Sequence, residues 1–459
     1  MSNSAAVRQV LVKVHRYVGL ALALFIIIIA ATGSIITFYD ELERVVNSQL
    51  RVVVPQQPGW TPQNLLAIRE RLEAQDPRSH VFSLQFPERP DASVYSRVMG
   101  AIDPATGAPF ELDYNEVFAN PYTGERLGQR FIGHFSLQPE DLVSQIYYLH
   151  YAFVLSLETG TLFVGILGLI WAFHSIVGLY LTFPPGGGAK RKAPEAGRKS
   201  FLSRWKAAWK IKFSGGSNRL IYDSHRAVSL WIWLLLLMFG VTGFALNQAG
   251  LYARAVNSFS DYAHLQEMPP RPPLATPLVN PPVDWYQALA LGQRYLAEQA
   301  QMQGFQVKRT AALEYRRDLG MYFYLAHTSR DVLDGESPTE SDSPATAATI
   351  AIDARDGHLL GVQIPRGQHA ANTITSWIIA LHTTAVFGRP WQIAVSCFGI
   401  LVVIITVTGV LIWWRKRKSR NPQSRARDVR GGASLAPNAL APERPAQTVI
   451  STLDRASER

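Results

Sequence analysis

Residues 15–38 read HRYVGLALALFIIIIAATGSIITF. From Tyr17 to Phe38 the stretch has no Lys, Arg, Asp or Glu, and an apolar run of about 18 residues or more can cross the hydrocarbon core of a bilayer as a helix. Three further stretches read the same way: Leu162–Phe183, Val228–Leu246 and Trp391–Trp414. The chain of 459 residues therefore predicts an integral membrane protein with four transmembrane helices, separated by segments of soluble composition. Asp40 and Glu41 follow the first run without a small-residue cleavage site, so that run is predicted to be a retained helix rather than a signal peptide.

Basic residues orient the spans. Arg8, Lys13 and Arg16 precede the first. The segment between the second and third carries ten Lys and Arg, from Lys190 to Arg219, against Glu195 and Asp223. Arg415, Lys416, Arg417 and Lys418 follow the fourth. This places both termini and the central linker in the cytoplasm, with the other two intervening regions outside. The net charge of +10 reflects these flanks facing anionic lipid, and nucleic acid is not the expected partner. The single cysteine, Cys397, excludes internal disulfides, Cys-rich zinc sites and iron–sulfur clusters from this chain alone. It is expected to pack inside the bundle.

The divisions are a cytoplasmic lead-in with the first span (1–39), an outer domain (40–148), the second span (149–183), a basic linker (184–219), the third span (220–248), a second outer domain (249–380), the fourth span (381–414) and a disordered cytoplasmic tail (415–459). Pro184-Pro185-Gly186 ends the second span. Phe201–Phe213 mixes aromatics with cations and predicts a helix lying in the membrane interface. Pro269–Pro282 is too rich in proline for regular structure. In the outer domains, Asn64–Gln75 and Trp285–Gln303 have helical periodicity, and Arg78–Phe86, Ser93–Val98, Gln306–Ala311 and Met321–Leu325 have strand composition. Each domain is expected to be α+β, one helix on a small antiparallel sheet.

The chain repeats itself. His15-Arg16 and Thr32-Gly33 return as His225-Arg226 and Thr242-Gly243, both offset by 210 residues. The hairpin-like Asn120–Gly128 resembles Ile352–Gly361, and Leu149-His150 before the second span matches Leu381-His382 before the fourth. Helix, outer domain, Leu-His and helix thus occur twice in the same direction, which predicts two parallel repeats about an axis along the membrane normal.

Ionisable groups at membrane depth are rare and usually functional. His150 and His382 are equivalent and belong to the outer face; His15 and His225 are equivalent and belong to the inner face. Two sites with two symmetry-related imidazoles each suit bis-His ligation of haem between helices. His174 breaks the repeat, with Ile405 or Thr406 where its partner would stand. It lies 24 residues after His150, roughly 36 Å along a helix, and is either an alternative inner ligand or a partner to one. Trp171, Trp231 and Trp233 can lie between the two sites, although packing is their commoner role. His80, His264, His327, His358 and His369 read as surface or turn residues, and His134 can line an outer pocket. Nothing in the spacing favours zinc or copper, and no nucleotide motif, catalytic triad or zinc-protease motif is present.

The segments His15–Leu20, Pro121–Glu125, Val177–Pro184, Asp223–Ala227 and Leu381 to Arg415 resemble the PepSY-associated transmembrane helix family of iron-regulated membrane proteins. The resemblance covers nearly all of the chain up to Arg420. It implies PepSY-like periplasmic domains and a bacterial inner-membrane location. It also implies a reductase of ferric siderophores carrying haem b, two haems being expected here, supplied by a cytoplasmic or quinol donor. Some PepSY proteins are thought instead to modulate peptidases. The alternative is therefore a non-redox membrane module serving as sensor, scaffold or uptake component.

Overall fold

In lipid, a chain must satisfy its own backbone polar groups, and a helix does so within one segment. The computed structural model describes residues 3–185, 200–263, 265, 269–332 and 347–432. Three of its helices are long and apolar enough to cross a membrane: α1 (Asn3–Ile36), α6 (Leu157–Thr182) and the apolar part of α13 (Gly388–Gly432). The basic lead-in is continuous with α1.

The expected third span is not one straight helix. Here α8 (Ser217–Trp231) and α9 (Trp233–Asn247) meet at a 67° bend, and they make a fourth crossing only when counted together. The two parts differ in character: α8 carries Arg219, Asp223 and Arg226, with Asp223 pairing Arg226 at 2.8 Å and Arg219 at 3.5 Å, groups that are costly in hydrocarbon, whereas α9 is apolar along its length. The interfacial segment is shorter than expected: α7 (Phe201–Trp205) and a 3-10 turn (Lys206–Trp209), after which the backbone extends. Arg226 ties it down by donating to the carbonyls of Ala207 and Ala208.

Small residues let the apolar helices approach closely. Gly168 of α6 lies against Gly240 and Phe244 of α9. Gly399 of α13, 231 residues later, lies against Ala30 and Ser34 of α1, 210 residues earlier than Gly240 and Phe244. Ser34 Oγ donates to Ser396 O and Ser396 Oγ to Ser34 O, each at 3.0 Å. Such interhelical bonds contribute about 0.6–2 kcal/mol each. Cys397 is exposed on the outer side of α13, not packed inside.

The two expected small sheets are one. Each half contributes a four-stranded meander: β1 (Ser79–Gln85), β2 (Val94–Gly100), β3 (Glu116–Ala119) and β4 (Arg126–Arg130), then β5 (Val307–Arg316), β6 (Met321–Thr328), β7 (Ala348–Asp353) and β8 (Leu359–Gln363). The first strands of the halves pair antiparallel, with Leu84 opposite Leu313, so the order is β4-β3-β2-β1-β5-β6-β7-β8. Burial explains the fusion, because unpaired strand edges expose backbone donors and acceptors. The expected helices, α4 (Pro62–Gln75) and α11 (Trp285–Gln303), cover one face together. Leu65, Leu66, Leu72, Leu289 and Leu296 pack there in a single core with Leu84, Leu313 and Tyr322, and Arg69 lies 4.7 Å over the Trp285 ring.

The chain leaves α1 through α2 (Tyr39–Val46) and α3 (Ser48–Arg51). There the buried Arg130 of β4 bridges Glu43 at 2.9 Å and Glu116 at 2.6 Å, and Tyr95 donates to Glu116. Removing one member of such a buried set costs about 3–5 kcal/mol, so this junction fixes α2 against the sheet.

Contacts divide the chain into two units, Met1–Val410 and Leu411–Arg459. In the second, α13 continues to Gly432, past the Trp414 where the tail was expected to begin. Residues 415–421 contain neither proline nor glycine, so no helix-breaking residue directly follows Trp414. Residues 433–459, 186–199 and His264 lie outside the described residues.

Candidate functional site

Two short helices, α5 (Leu142–Ala152) and α12 (Ala370–His382), precede α6 and α13. Each is followed by a non-glycine residue in the left-handed region, Phe153 at φ 54° and Thr384 at φ 58°. Such residues are strained and persist only where packing holds them. The breaks set His150 and His382 on separate helices ahead of the spans, so His150 and His174 do not share the continuous helix that the sequence reading assumed.

His150 and His382 face each other with ring centroids 6.5 Å apart and planes at 76°. The His150 Nδ1 lies 2.9 Å from the Ile29 carbonyl and 3.2 Å from Thr32 Oγ1. Thr32 already donates to Ile28 O at 2.7 Å, so its oxygen accepts. The same logic holds for His382, whose Nδ1 is 2.6 Å from Thr242 Oγ1 while Thr242 donates to Met238 O. Both rings therefore carry the proton on Nδ1 and leave Nε2 as a lone-pair donor, the tautomer a metal ligand needs. Gly33 makes room, since a Cβ there would lie 2.9 Å from His150 Cε1.

The other three imidazoles also meet. His15 of α1 and His225 of α8 have centroids 6.4 Å apart and planes at 68°. His174 of α6 stacks on His15 at 4.2 Å with planes 5° apart. His225 Nδ1 donates to the Ile405 carbonyl at 2.7 Å, with Thr408 Oγ1 at 3.4 Å. His15 Nδ1 is buried without a hydrogen-bond partner, and Val177 stands where the second half has Thr408.

The open alignment at His174 is settled by packing. Gly178 lies against His15 and Gly409 against His225, an offset of 231 residues. The counterpart of His174 is therefore Ile405. Gly19, where a Cβ would come within 3.2 Å of His174, corresponds to Ser229. The first half has space for a third imidazole and the second does not.

Of the tryptophans that can lie between the sites but more commonly pack, Trp171 packs in the apolar core of the bundle and Trp233 donates to Ser175 O at 3.0 Å. Trp231 does not lie between them. It is 58% exposed and donates to Trp209 O in the interfacial segment, because the bend follows it at once. Sequence reasoning missed Phe25, which touches Phe153 and Phe163 at 5.5 and 5.2 Å, and Phe239, stacked on Phe398 and beside His382, each at 4.7 Å. It also noted Thr32 and Thr242 only as marks of the repeat. A hydroxyl recurring inside an apolar run was the available signal for their hydrogen-bonding role.

Away from the bundle, His327 is buried, contrary to expectation. Its Nδ1 meets Asp331 at 2.8 Å, and burial raises the Asp331 carboxyl above its ordinary value despite that partner. His80 pairs with Glu73 and His369 with Asp261. His358 is exposed at the β7–β8 turn beside Asp356. His134 packs on Phe131 at 5.0 Å.

A family model described as PepSY-associated TM region matches residues 12–416. No curated protein matches the chain.

Proposed function

We propose that this chain, which belongs to the PepSY-associated TM family, is a haem-bearing oxidoreductase of the bacterial inner membrane. It passes electrons from the cytoplasmic side to a ferric siderophore in the periplasm. In this reading the four crossings form two parallel repeats, both termini are cytoplasmic, and the fused sheet is periplasmic. The basic flanks and the matched helix contacts support it.

One observation carries the proposal: two histidine pairs with centroids 6.5 and 6.4 Å apart. An imidazole nitrogen sits about 2 Å from a first-row metal ion, with the ring centroid roughly 1.1 Å beyond it. Two imidazoles that shared one metal ion would therefore have centroids no more than about 6.2 Å apart, close to the spacing of both pairs. Face-to-face stacking is closer, as the 4.2 Å between His15 and His174 illustrates. The Nδ1 bonds of His150, His225 and His382 leave Nε2 free on each of these rings. The residues present thus suit haem b: His150 and His382 would hold an outer group and His15 and His225 an inner one.

Bound haem supplies one-electron exchange between ferric and ferrous iron. The chain's part is to hold, orient and insulate. The carbonyls of Ile29 and Ile405 and the hydroxyls of Thr32 and Thr242 fix the ring tautomers. His174 braces the His15 plane by stacking. Along α1, the fourteen-residue offset from Gly19 to Gly33 sets the two levels roughly 21 Å apart, and the Phe25 trio fills space between them and excludes water. At the outer face the chelate's Fe(III) takes one electron, which originates from a cytoplasmic or quinol donor oxidised in turn, and becomes Fe(II), a weaker partner for hard oxygen ligands, and is released.

The test is a visible spectrum. Protein made with adequate haem supply should show the Soret and α bands of low-spin b-type haem, extractable into acidic acetone because no CxxCH motif attaches it. A folded, colourless protein under those conditions overturns the proposal.

A further inference from the structure

The four paired imidazoles are not held alike. In the outer pair both Nδ1 atoms meet acceptors: His150 has the Ile29 carbonyl at 2.9 Å and Thr32 Oγ1 at 3.2 Å, and His382 has Thr242 Oγ1 at 2.6 Å. In the inner pair His225 has the Ile405 carbonyl at 2.7 Å and Thr408 Oγ1 at 3.4 Å. His15 Nδ1 is buried and finds no acceptor among the described residues. The His174 carbonyl, which corresponds to that of Ile405, takes no bond from it, and Val177 has a methyl where Thr408 has a hydroxyl. What meets His15 instead is the His174 ring, stacked at 4.2 Å.

Such bonds do more than fix a tautomer. An Nδ1–H that donates to a carbonyl or hydroxyl gives the ring partial imidazolate character and makes Nε2 a stronger electron donor. A stronger donor favours ferric over ferrous iron and lowers the reduction potential, and the effect grows where the dielectric is low. Charge acts in the same direction. Arg16 follows His15 and Arg226 follows His225, the latter offset by Asp223 at 2.8 Å, whereas the chain neighbours of His150 and His382 are all uncharged. A nearby cation favours the less positive, ferrous state.

We infer that the chain tunes its two centres apart: Thr242, Thr32 and the Ile29 carbonyl make the outer centre the stronger reductant, and the missing acceptor at His15 keeps the inner centre the easier to reduce. The inference rests on the haem reading above. Thr242 and Val177 are then positioning residues that act through His382 and His15. The electron given up by the cytoplasmic or quinol donor, which is oxidised in turn, settles first at the inner level. Its passage outward is uphill, and is drawn by the last step, in which the chelate's Fe(III) gains that electron and leaves as Fe(II). A strongly reducing outer centre suits a substrate whose hard oxygen ligands stabilise Fe(III).

The test is a spectroelectrochemical titration of the full chain in detergent, with no chelate present. His382→Ala, which leaves the inner centre, and His225→Ala, which leaves the outer, assign the two midpoints. The lower should belong to the outer centre. Val177→Thr supplies the hydroxyl that Thr408 supplies to His225 and should lower the inner midpoint alone. The ferrous-to-ferric ratio at a fixed potential should fall about 2- to 12-fold, the scale of one hydrogen bond. Val177→Ser, with a smaller side chain, should shift it the same way if threonine disturbs packing. Thr242→Val should raise the outer midpoint on the same scale, and Thr242→Ser should restore it, with haem content unchanged in each. If the inner centre has the lower midpoint, or if these substitutions leave the midpoints in place while both haems stay bound, the inference falls and the haem reading stands. A folded, colourless protein overturns both together.

Discussion

Gly33→Ala is the sharpest perturbation of the His150–His382 pair. The new methyl would lie 2.9 Å from His150 Cε1 and 3.4 Å from Nδ1. Carbon atoms pack at about 3.5–4.0 Å, so the ring must retreat by roughly 0.6–1.1 Å. Its Nδ1 is now 2.9 Å from Ile29 O and 3.2 Å from Thr32 Oγ1. A retreat of that size takes both beyond hydrogen-bonding distance. At about 0.5–1.5 kcal/mol each, the loss is roughly 1–3 kcal/mol, or about 5- to 150-fold in affinity for whatever the pair holds. The assay is haem per protein, read from the Soret band and by acid extraction under limiting haem. The expected content falls by about half, with the inner spectrum intact. Gly243→Ala, the repeat-matched substitution, meets nothing within 4 Å and should leave both haems in place. Full haem in the Gly33→Ala protein would refute the argument that this glycine makes room for a ligating His150.

Three further outcomes are expected. His150→Ala or His382→Ala should remove only the outer haem and block chelate reduction while the inner haem still accepts electrons, and His225→Ala should do the reverse; haem stoichiometry with each haem's reduction followed separately checks this. A topology reporter fused near Ala105 should be active only outside the cytoplasm and one near Ala193 only inside; the opposite pattern reverses the orientation. Burial would raise the Glu73 pKa, but the hydrogen bond from His80, the Arg69 and His80 charges and the Val81 N–H outweigh it and hold the carboxyl below its ordinary 4.5. Its contribution to stability is thus present above that value and lost as pH falls through the lower folded value, so Glu73→Gln should flatten the acid limb of melting temperature against pH; an unchanged limb would show that the pairing does not stabilise the fold.

The sequence by itself determined the membrane class, the recurrence of matched residues at a fixed offset, the helices α4 and α11 and the histidines that meet. These rest on local signals: apolar runs without charge, periodicity 3.6 in Trp285–Gln303, and a His-Arg and Thr-Gly pattern recurring at one offset. Only the tertiary structure decided the rest. Whether two small sheets stay apart or fuse depends on Leu84 reaching Leu313, a pairing that neither strand's composition encodes. The bend at Ile232 separates a charged helix from an apolar one, a break that a hydropathy window averages away. Which residue matches His174 depended on Gly178 and Gly409 facing their histidines, since the two halves differ in length by loop insertions that shift the count. Cys397 and Trp231 face outward for a related reason. Within an apolar run every residue is soluble in lipid, so composition carries no information about which side of the helix faces the bundle; packing against neighbouring helices makes that choice.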